Sequence, residues 1–435
     1  MKRVLMSSVA LVVTAWGSFA QAETTIDLQR FFGACDADYG TSTDVSAAVG
    51  ECGIITTLVN KFQAENPDIK VNVTTVEWPG YDQLNAQIAS NAAPDVVSMH
   101  YSVISDYSSR GLILPIDDIL SGAGVDTAAF TDAARGGVTK EGQMFGLPFD
   151  NWAMLWHYNM NLMKEAGLVN ADGSPVIPTS PEELMAQGKQ FGEATGKPYL
   201  VQVLANETAM YCRLLYSLLQ QQSVDIFADP TKVDLSSAEV KATVQMMKDI
   251  YDAGITTKGM DYPAAVSGFA NGDGGIALNG TWLIGDYVAQ SETAGSALEG
   301  GYTVYPIPQL YAKDSSYVDG HGWVVPRGDR SDEEVAAIGK LFAFLAANNF
   351  EWARTGHLPA SQAVFDMPEF QALPNRANIA KLAQTGVPLN PAVQRQFAIQ
   401  DILGEEVASA VNGDKSVDDA LASAEARIND LLANL

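Results

Sequence analysis

The densest run of side chains able to do chemistry lies between Gly142 and Leu168, GQMFGLPFDNWAMLWHYNMNLMKEAGL. It reads as a short strand, a proline-marked passage, a second strand, and a helix that stops at Gly167. Asp150, Asn151, Trp152, Trp156, His157 and Tyr158 crowd the passage where a plain connection would suffice. Aromatic faces beside amides and carboxylates suit a ligand with an apolar C–H face and a rim of hydroxyls. The chemistry implied is recognition.

Other residues of these types sit where strands end, the place where ligands of α/β sheets gather. Trp282 follows Asn279-Gly280-Thr281 just past an apolar strand, and His100 and Tyr101 follow the strand Asp95–Met99. Asn206 and Glu207 follow the strand Leu200–Leu204; these two pairs read equally as ligand contacts or as ordinary loops. His321 stands between Gly320 and Gly322, where a backbone can approach a ligand closely. Arg354 and His357 frame Gly356, with a surface helix end as the plain alternative. Trp78, Trp152 and Trp282 adjoin turn or polar residues, whereas Trp156, Trp323 and Trp352 are expected in the core.

Catalytic signatures are absent. There is no G-x-S-x-G elbow, no P-loop and no G-x-G-x-x-G after a strand. Gly272-Asp273-Gly274-Gly275 lacks a phosphate-loop lysine and reads as a tight turn before the strand Ile276–Leu278. With 52 acidic residues, a pair of carboxylates at glycosidase spacing is easy to find and therefore uninformative. No C-x-x-C and no histidine pair at helical spacing occurs, so no metal and no cofactor are expected.

The first residues are set apart from the fold. Lys2 and Arg3, the apolar run Val4–Ala15 and Ala20-Gln21-Ala22 form a secretory signal with cleavage after Ala22. The apolar run is too short for a membrane anchor, and no cysteine follows closely enough for lipidation. What remains of the 435 residues exceeds one core and implies two domains. A formal charge of −26 excludes nucleic acid and anionic lipid as long-range partners. Cys35 and Cys52, in an exported chain, predict a disulfide rather than two free thiols. Cys212 lies in an apolar helical stretch and reads as a buried thiol.

The elements that must position these residues alternate. Ile26–Phe32 reads as a strand; Ile54, Leu58, Val59 and Phe62 share a helical face. Ile69–Val76 alternates as a strand, Tyr81, Leu84 and Ile88 mark a second helix, and strands follow at Asp95–Met99 and Leu112–Ile116. This is an α/β pattern with a mostly parallel sheet. Serines at 180, 236, 331 and 416, each with an acidic residue three positions on, predict helix starts. Glycine clusters at Gly136-Gly137, Gly272–Gly275, Gly300-Gly301 and Gly320–Gly322 mark expected joints. No internal repeat or long linker is present, so two lobes must be interwoven.

The order of motifs resembles extracellular solute-binding protein family 1, the sugar-binding group that includes maltose-binding protein. The similarity rests on Ala93-Pro94-Asp95-Val96-Val97, on Gly111–Leu120 (GLILPIDDIL), and on Gly146–Gly167 with its Y-N-x-x-L pattern. It continues through Phe269–Trp282 (FANGDGGIALNGTW), Tyr305-Pro306-Ile307-Pro308, Gly356-His357-Leu358-Pro359 and the closing helix within Gly413–Ile428. The resemblance implies a periplasmic binding protein type II-like fold, with two α/β lobes, crossover strands and a ligand cleft between them. The lobes implied are 23–150 with about 306–352, and 151–305 with about 353–435. It further implies a monomeric periplasmic component of an ABC importer that hands a carbohydrate to the membrane permease and is no enzyme. The site implied draws on Phe32, Asp36, Trp78, Trp152, Asn206, Glu207, Trp282, Gly320–Gly322 and His357. The Cys35–Cys52 insert departs from the family pattern in the loop that carries Asp36. Two alternatives stay open: a receptor for a polyamine, polyol or sugar acid, the last wanting Arg213 or Arg354 in the cleft, and a secreted carbohydrate-active enzyme.

Overall fold

The computed structural model describes residues 23–205 and 208–435. Strands β1 (Thr24–Arg30), β2 (Ile69–Thr75) and β3 (Val96–His100) pair in parallel. Helix α1 (Gly50–Glu65) makes the crossover from β1 to β2, burying Ile54, Ile55, Leu58, Val59 and Phe62. Strand β2 buries Ile69 and Val71 and exposes Lys70 and Asn72, the alternation of a strand with one wet face.

Beside three further two-residue strands, the chain forms β4 (Leu147–Asn159), β5 (Leu200–Val201), β6 (Ile276–Gly280), β7 (Tyr302–Pro306), β8 (Ser316–Val324) and β9 (Leu358–Pro359). They continue one sheet in the order β2-β1-β3-β8-β4-β6-β5, with β7 and β9 also paired to β4. Contrary to the mostly parallel expectation, β8 runs antiparallel to β3 and β4, and β4 antiparallel to β6, β7 and β9. A chain that crosses out of one half and later returns lays its outgoing and returning strands in opposite directions.

Strand β4 is the hub. Its first part, Leu147–Ala153, pairs with β8, and its second, Met154–Tyr158, with β6. The passage read from sequence as an aromatic connection is thus one continuous strand, buried along nearly its whole length. A strand covered on both faces needs apolar residues at consecutive positions, which is why the alternation signal fails there.

Hydrophobic clusters follow the same division. One gathers residues from Ile26 to Phe149 together with Trp323–Trp352 and Ala360. Two others gather residues between Trp152 and Leu310 together with Tyr317 and Val393–Leu432. Phe149 belongs to the first, Trp152 and Met154 to the others, so the change of core falls within three residues of β4.

Local signals held in part. Ser180, Ser331 and Ser416 cap helices as read, and Ser331 with Glu334 forms a complete capping box. The cap expected at Ser236 is Ser237, which accepts from Val240 N–H, while Ser236 hydrogen-bonds Asp234. Leu112–Ile116 contributes one bridge, Ile113 to Pro326, rather than a strand, because Pro115 has no N–H to offer a ladder. Gly136 and Gly137 lie inside a short helix, Asp132–Val138, and Gly320–Gly322 inside β8, so neither is a joint. No helix among the described residues is long and apolar enough to cross a membrane. The signal expected at 1–22 lies outside the described residues.

A disulfide joins Cys35 to Cys52, tying the loop after β1 to the first turn of α1. Cys212 is a buried free thiol whose pKa burial pushes up to about 12. Replacing both half-cystines by serine is expected to lower unfolding stability by about 3 kcal/mol for a loop of this length. Urea denaturation measures this, and dithiothreitol should reproduce the loss in the natural protein but add nothing to the double variant. Equal midpoints for the two proteins would show that the bond leaves stability untouched.

Candidate functional site

Strand register assembles the site. His321 of β8 lies opposite His100 of β3 on one side and Asp150 of β4 on the other. Pro359 of β9 lies beyond Asp150. Side chains at such paired positions are neighbours, so four segments distant in sequence place a row of polar groups across the sheet. The β8–β4 register shifts between His321 and Gly322.

Asp150 is fully buried. It accepts from the His321 backbone N–H at 3.0 Å, from His321 Nδ1 at 2.9 Å and from Trp352 Nε1 at 2.7 Å. Burial alone would raise its pKa, but His321, His357 and these hydrogen bonds outweigh that and hold it below the usual carboxylate range. Burial would likewise lower His321, and Asp150 reverses this, raising it. The two directions agree on an imidazolium–carboxylate pair. His100 has the opposite fate: burial and the neighbouring His321 and Arg213 push it well down, so it is neutral. Its Nδ1 accepts from Tyr81 Oη at 2.5 Å.

His357, also fully buried, donates from Nε2 to Glu51 Oε1 at 2.8 Å and shares a hydrogen bond between Nδ1 and Thr281 Oγ1 at 3.0 Å. Glu51 comes from the first turn of α1, next to the disulfide. Donor atoms of Glu51, His321 and His357 lie within 4.8 Å of one another, a convergence that sequence spacing did not disclose. Asp286 adjoins this end; burial first and Glu51 second push its pKa up to about 6. Arg354 ties the disulfide loop down through the carbonyls of Val45, Ser46 and Ala48 and pairs with Glu351.

Aromatic rings pack this row. Trp152 meets Trp282 edge to face at 5.6 Å between centroids, and Trp282 lies 6.4 Å from His357. Phe31 stacks on His100 at 5.0 Å, Phe32 meets His321 at 5.2 Å, and Trp352 stacks on His357 at 5.5 Å. Trp78 meets His100 at 5.9 Å, and Phe397 packs on both. Trp282 Nε1 donates to Tyr262 Oη at 2.7 Å. Its ring folds back over Gly280, where a Cβ would stand 2.0 Å from the indole; only glycine admits that approach.

The structure therefore brings together Phe32, Trp78, His100, Trp152, Trp282, His321 and His357 from the sequence set. Gly320 packs against the Tyr101 ring and the Asp150 carbonyl rather than lying open, and Gly322 against the Leu147 carbonyl. Asn279 turns its side-chain oxygen to its neighbour's N–H. Asp36 is exposed in a short helix, Asp36–Tyr39, and Arg354 acts on the loop. Asn206 and Glu207 lie outside the described residues. Trp156, His157 and Tyr158 belong to the core; His157, its pKa lowered to about 3 by burial, bonds Tyr302 and the Gly280 carbonyl. Glu51, Asp286 and Phe397 were missed, as was the buried Asp319 of β8, which accepts from the Ser102 N–H at 3.1 Å and from its hydroxyl at 2.5 Å. Nothing in sequence marks Glu51 beyond its place beside Cys52.

A family model for bacterial extracellular solute-binding proteins matches residues 57–378. The chain belongs to that family. Among its relatives, the arabinooligosaccharide-binding protein of Bacillus subtilis is 25% identical over 72% of each chain. The sn-glycerol-3-phosphate-binding periplasmic protein UgpB of Escherichia coli is 25% identical over 98% of this solute-binding protein and 96% of its own length. The fold is similar to that of the GacH receptor of Streptomyces glaucescens, with a TM-score of 0.77 at 19% identity over 94% and 99% of the chains. Maltose-bound MalE3 of T. maritima gives 0.76 at 19% identity over 94% and 100%. The mixed sheet and its divided core are thus the two α/β lobes of periplasmic binding proteins.

Asp286 gives this solute-binding protein a testable pH signature. Its folded pKa exceeds the unfolded value, so its contribution to stability is full below about 4 and is lost as pH rises through about 6. Asp286→Asn should raise the unfolding free energy at pH 7.5 by at most about 3 kcal/mol before solvent screening, seen as a higher melting temperature, with the gain vanishing by pH 4. A pH-independent difference between the two proteins would contradict this.

Proposed function

We propose that this protein is the periplasmic substrate-binding component of an ABC importer, capturing a carbohydrate or sugar derivative in the cleft between its lobes. The observation that carries the reading is the Trp152–Trp282 edge-to-face pair above the His321–Asp150 ion pair. Indole faces stack on the C–H side of a pyranose, while fixed polar groups orient its hydroxyls and penalise the wrong isomer. Family membership supports the transport role, and the arabinooligosaccharide- and glycerol-phosphate-binding relatives support a polyhydroxylated ligand.

The lobes of this reading are 23–150 with about 306–352, and 151–305 with about 353–435; the change of hydrophobic core along β4 supports that division. Residues 1–22 act as the export signal, and the mature chain works as a monomer that docks on permease subunits in the inner membrane. The role is binding without turnover. Closure about β4 and β8, the strands shared by both lobes, couples capture to delivery. Phe32, Trp78, His100, Trp152, Asn206, Glu207, Trp282, His321 and His357 form the ligand-binding set, with Glu51 added.

Thermal shift of the mature protein against mono-, di- and oligosaccharides, sugar acids, sugar phosphates, polyols and polyamines tests this. A ligand at 100 times its Kd stabilises the native state by about 2.7 kcal/mol. One sugar class should raise the melting temperature, and Trp282→Ala should weaken that ligand by roughly ten- to a hundredfold. A shift from polyamines alone would sink the carbohydrate reading.

A further inference from the structure

Arg213 is the one arginine of this site for which the described residues show neither a carboxylate nor a backbone carbonyl as partner. It lies on the helix Ala209–Gln221 and is only 3% exposed. Its guanidinium carbon sits 4.6 Å from the ring centroid of Trp152 and 5.4 Å from that of Trp78, so both rings of the proposed ligand set flank it. Nε donates to Gln400 Oε1 at 3.2 Å. Among the described residues no carboxylate forms an ion pair with it.

The neighbouring arginines are treated differently. Arg30 donates to the Gly33 carbonyl and to Thr56 Oγ1. Arg354 has three carbonyls and Glu351, and Arg330 has Asp95. A guanidinium stays protonated even when buried, and a buried charge without a partner is costly. Two indole faces offset part of that cost, but they do not supply the in-plane acceptors that the planar fork requires.

A second observation points the same way. Trp152 Nε1 and Gln400 Nε2 are buried with no hydrogen-bond partner among the described residues. Both belong to side chains that touch Arg213, and both nitrogens can only donate. Guanidinium, indole and amide together form a donor-rich corner. A neutral hydroxyl gives and takes hydrogen bonds; an oxyanion only takes them, and carries the charge that Arg213 lacks. Glu51 and Asp286 lie at the His357 end, beyond Trp282, and the buried Asp319 is held by Ser102 and the Gly320 N–H rather than by Arg213.

We propose that the ligand is an anionic sugar or polyol derivative whose carboxylate or phosphate is received by Arg213, with Trp152 Nε1 and Gln400 Nε2 as further donors. The polyhydroxylated part then extends across Trp282 toward His357 and Glu51. This rests on the carbohydrate reading above and names the class of ligand within it.

The experiment is calorimetric titration of the mature protein, at pH 7.5, with matched sets. Each set holds a neutral sugar or polyol, its uronic or aldonic acid, and its phosphate ester, with inorganic phosphate run alongside. In one set, the acid or the phosphate should bind at least 30-fold more tightly than the neutral parent. Which of the two does so assigns carboxylate or phosphate. Raising the salt should weaken the anion more than the parent, and in Arg213→Met the ratio of anion to parent affinity should fall toward one. If Arg213→Met fails to fold, Arg213→Lys should retain part of that ratio, and the salt dependence of the natural protein decides alone. A neutral parent that binds as tightly as its anions, with no salt dependence, would overturn the anionic assignment and leave the carbohydrate reading standing. A folded protein that binds no member of any set would overturn both.

Discussion

The buried carboxylate of Asp150 is the constraint on which the rest of the site depends. It sits on the strand shared by both halves of the sheet and accepts from the backbone and ring of His321 and from the Trp352 indole. A desolvated carboxylate is tolerated only when its lone pairs are met by positive or donating groups. Two segments far from β4 in sequence are therefore obliged to converge on it: β8 and the short helix Asn349–Ala353. Once they do, His321 is fixed as an imidazolium, and Trp352 presents its face to His357.

Around this ion pair the protein uses covalent and aromatic constraints to bring one more loop to the site. The disulfide ties the first turn of α1 to the loop after β1, and Arg354 grips the segment before α1 through three carbonyls. Glu51 thereby reaches His357, and the acidic end of the cleft is built from a segment that in sequence looks like an insert. The Cys35–Cys52 departure from the family pattern is thus a part of the site's wall.

The site has a consistent polarity. Its imidazolium is matched by Asp150, its acidic groups gather about His357, and the cation of Arg213 faces two indoles with no carboxylate paired to it among the described residues. Charges that are matched within the protein specify its shape. A charge left unmatched specifies what the protein receives, because the ligand that completes it regains the desolvation free energy already spent in folding.

Sequence alone determined a good deal. The α/β class and the serine caps at 180, 331 and 416 are local patterns, legible because caps and short-period alternation depend on near neighbours only. The motif order carried the family. Aromatic residues beside turns marked Trp78, Trp152 and Trp282, and a glycine pair marked His321. Tertiary structure alone decided which of these meet. Strand register set His100, His321 and Asp150 in one row, and the antiparallel return of β8 against β4 follows from chain topology rather than composition. Glu51 and the pairing state of Arg213 were invisible for the same reason: a side chain's charge partner is set by segments hundreds of residues away, and no spacing along the chain encodes that distance in space.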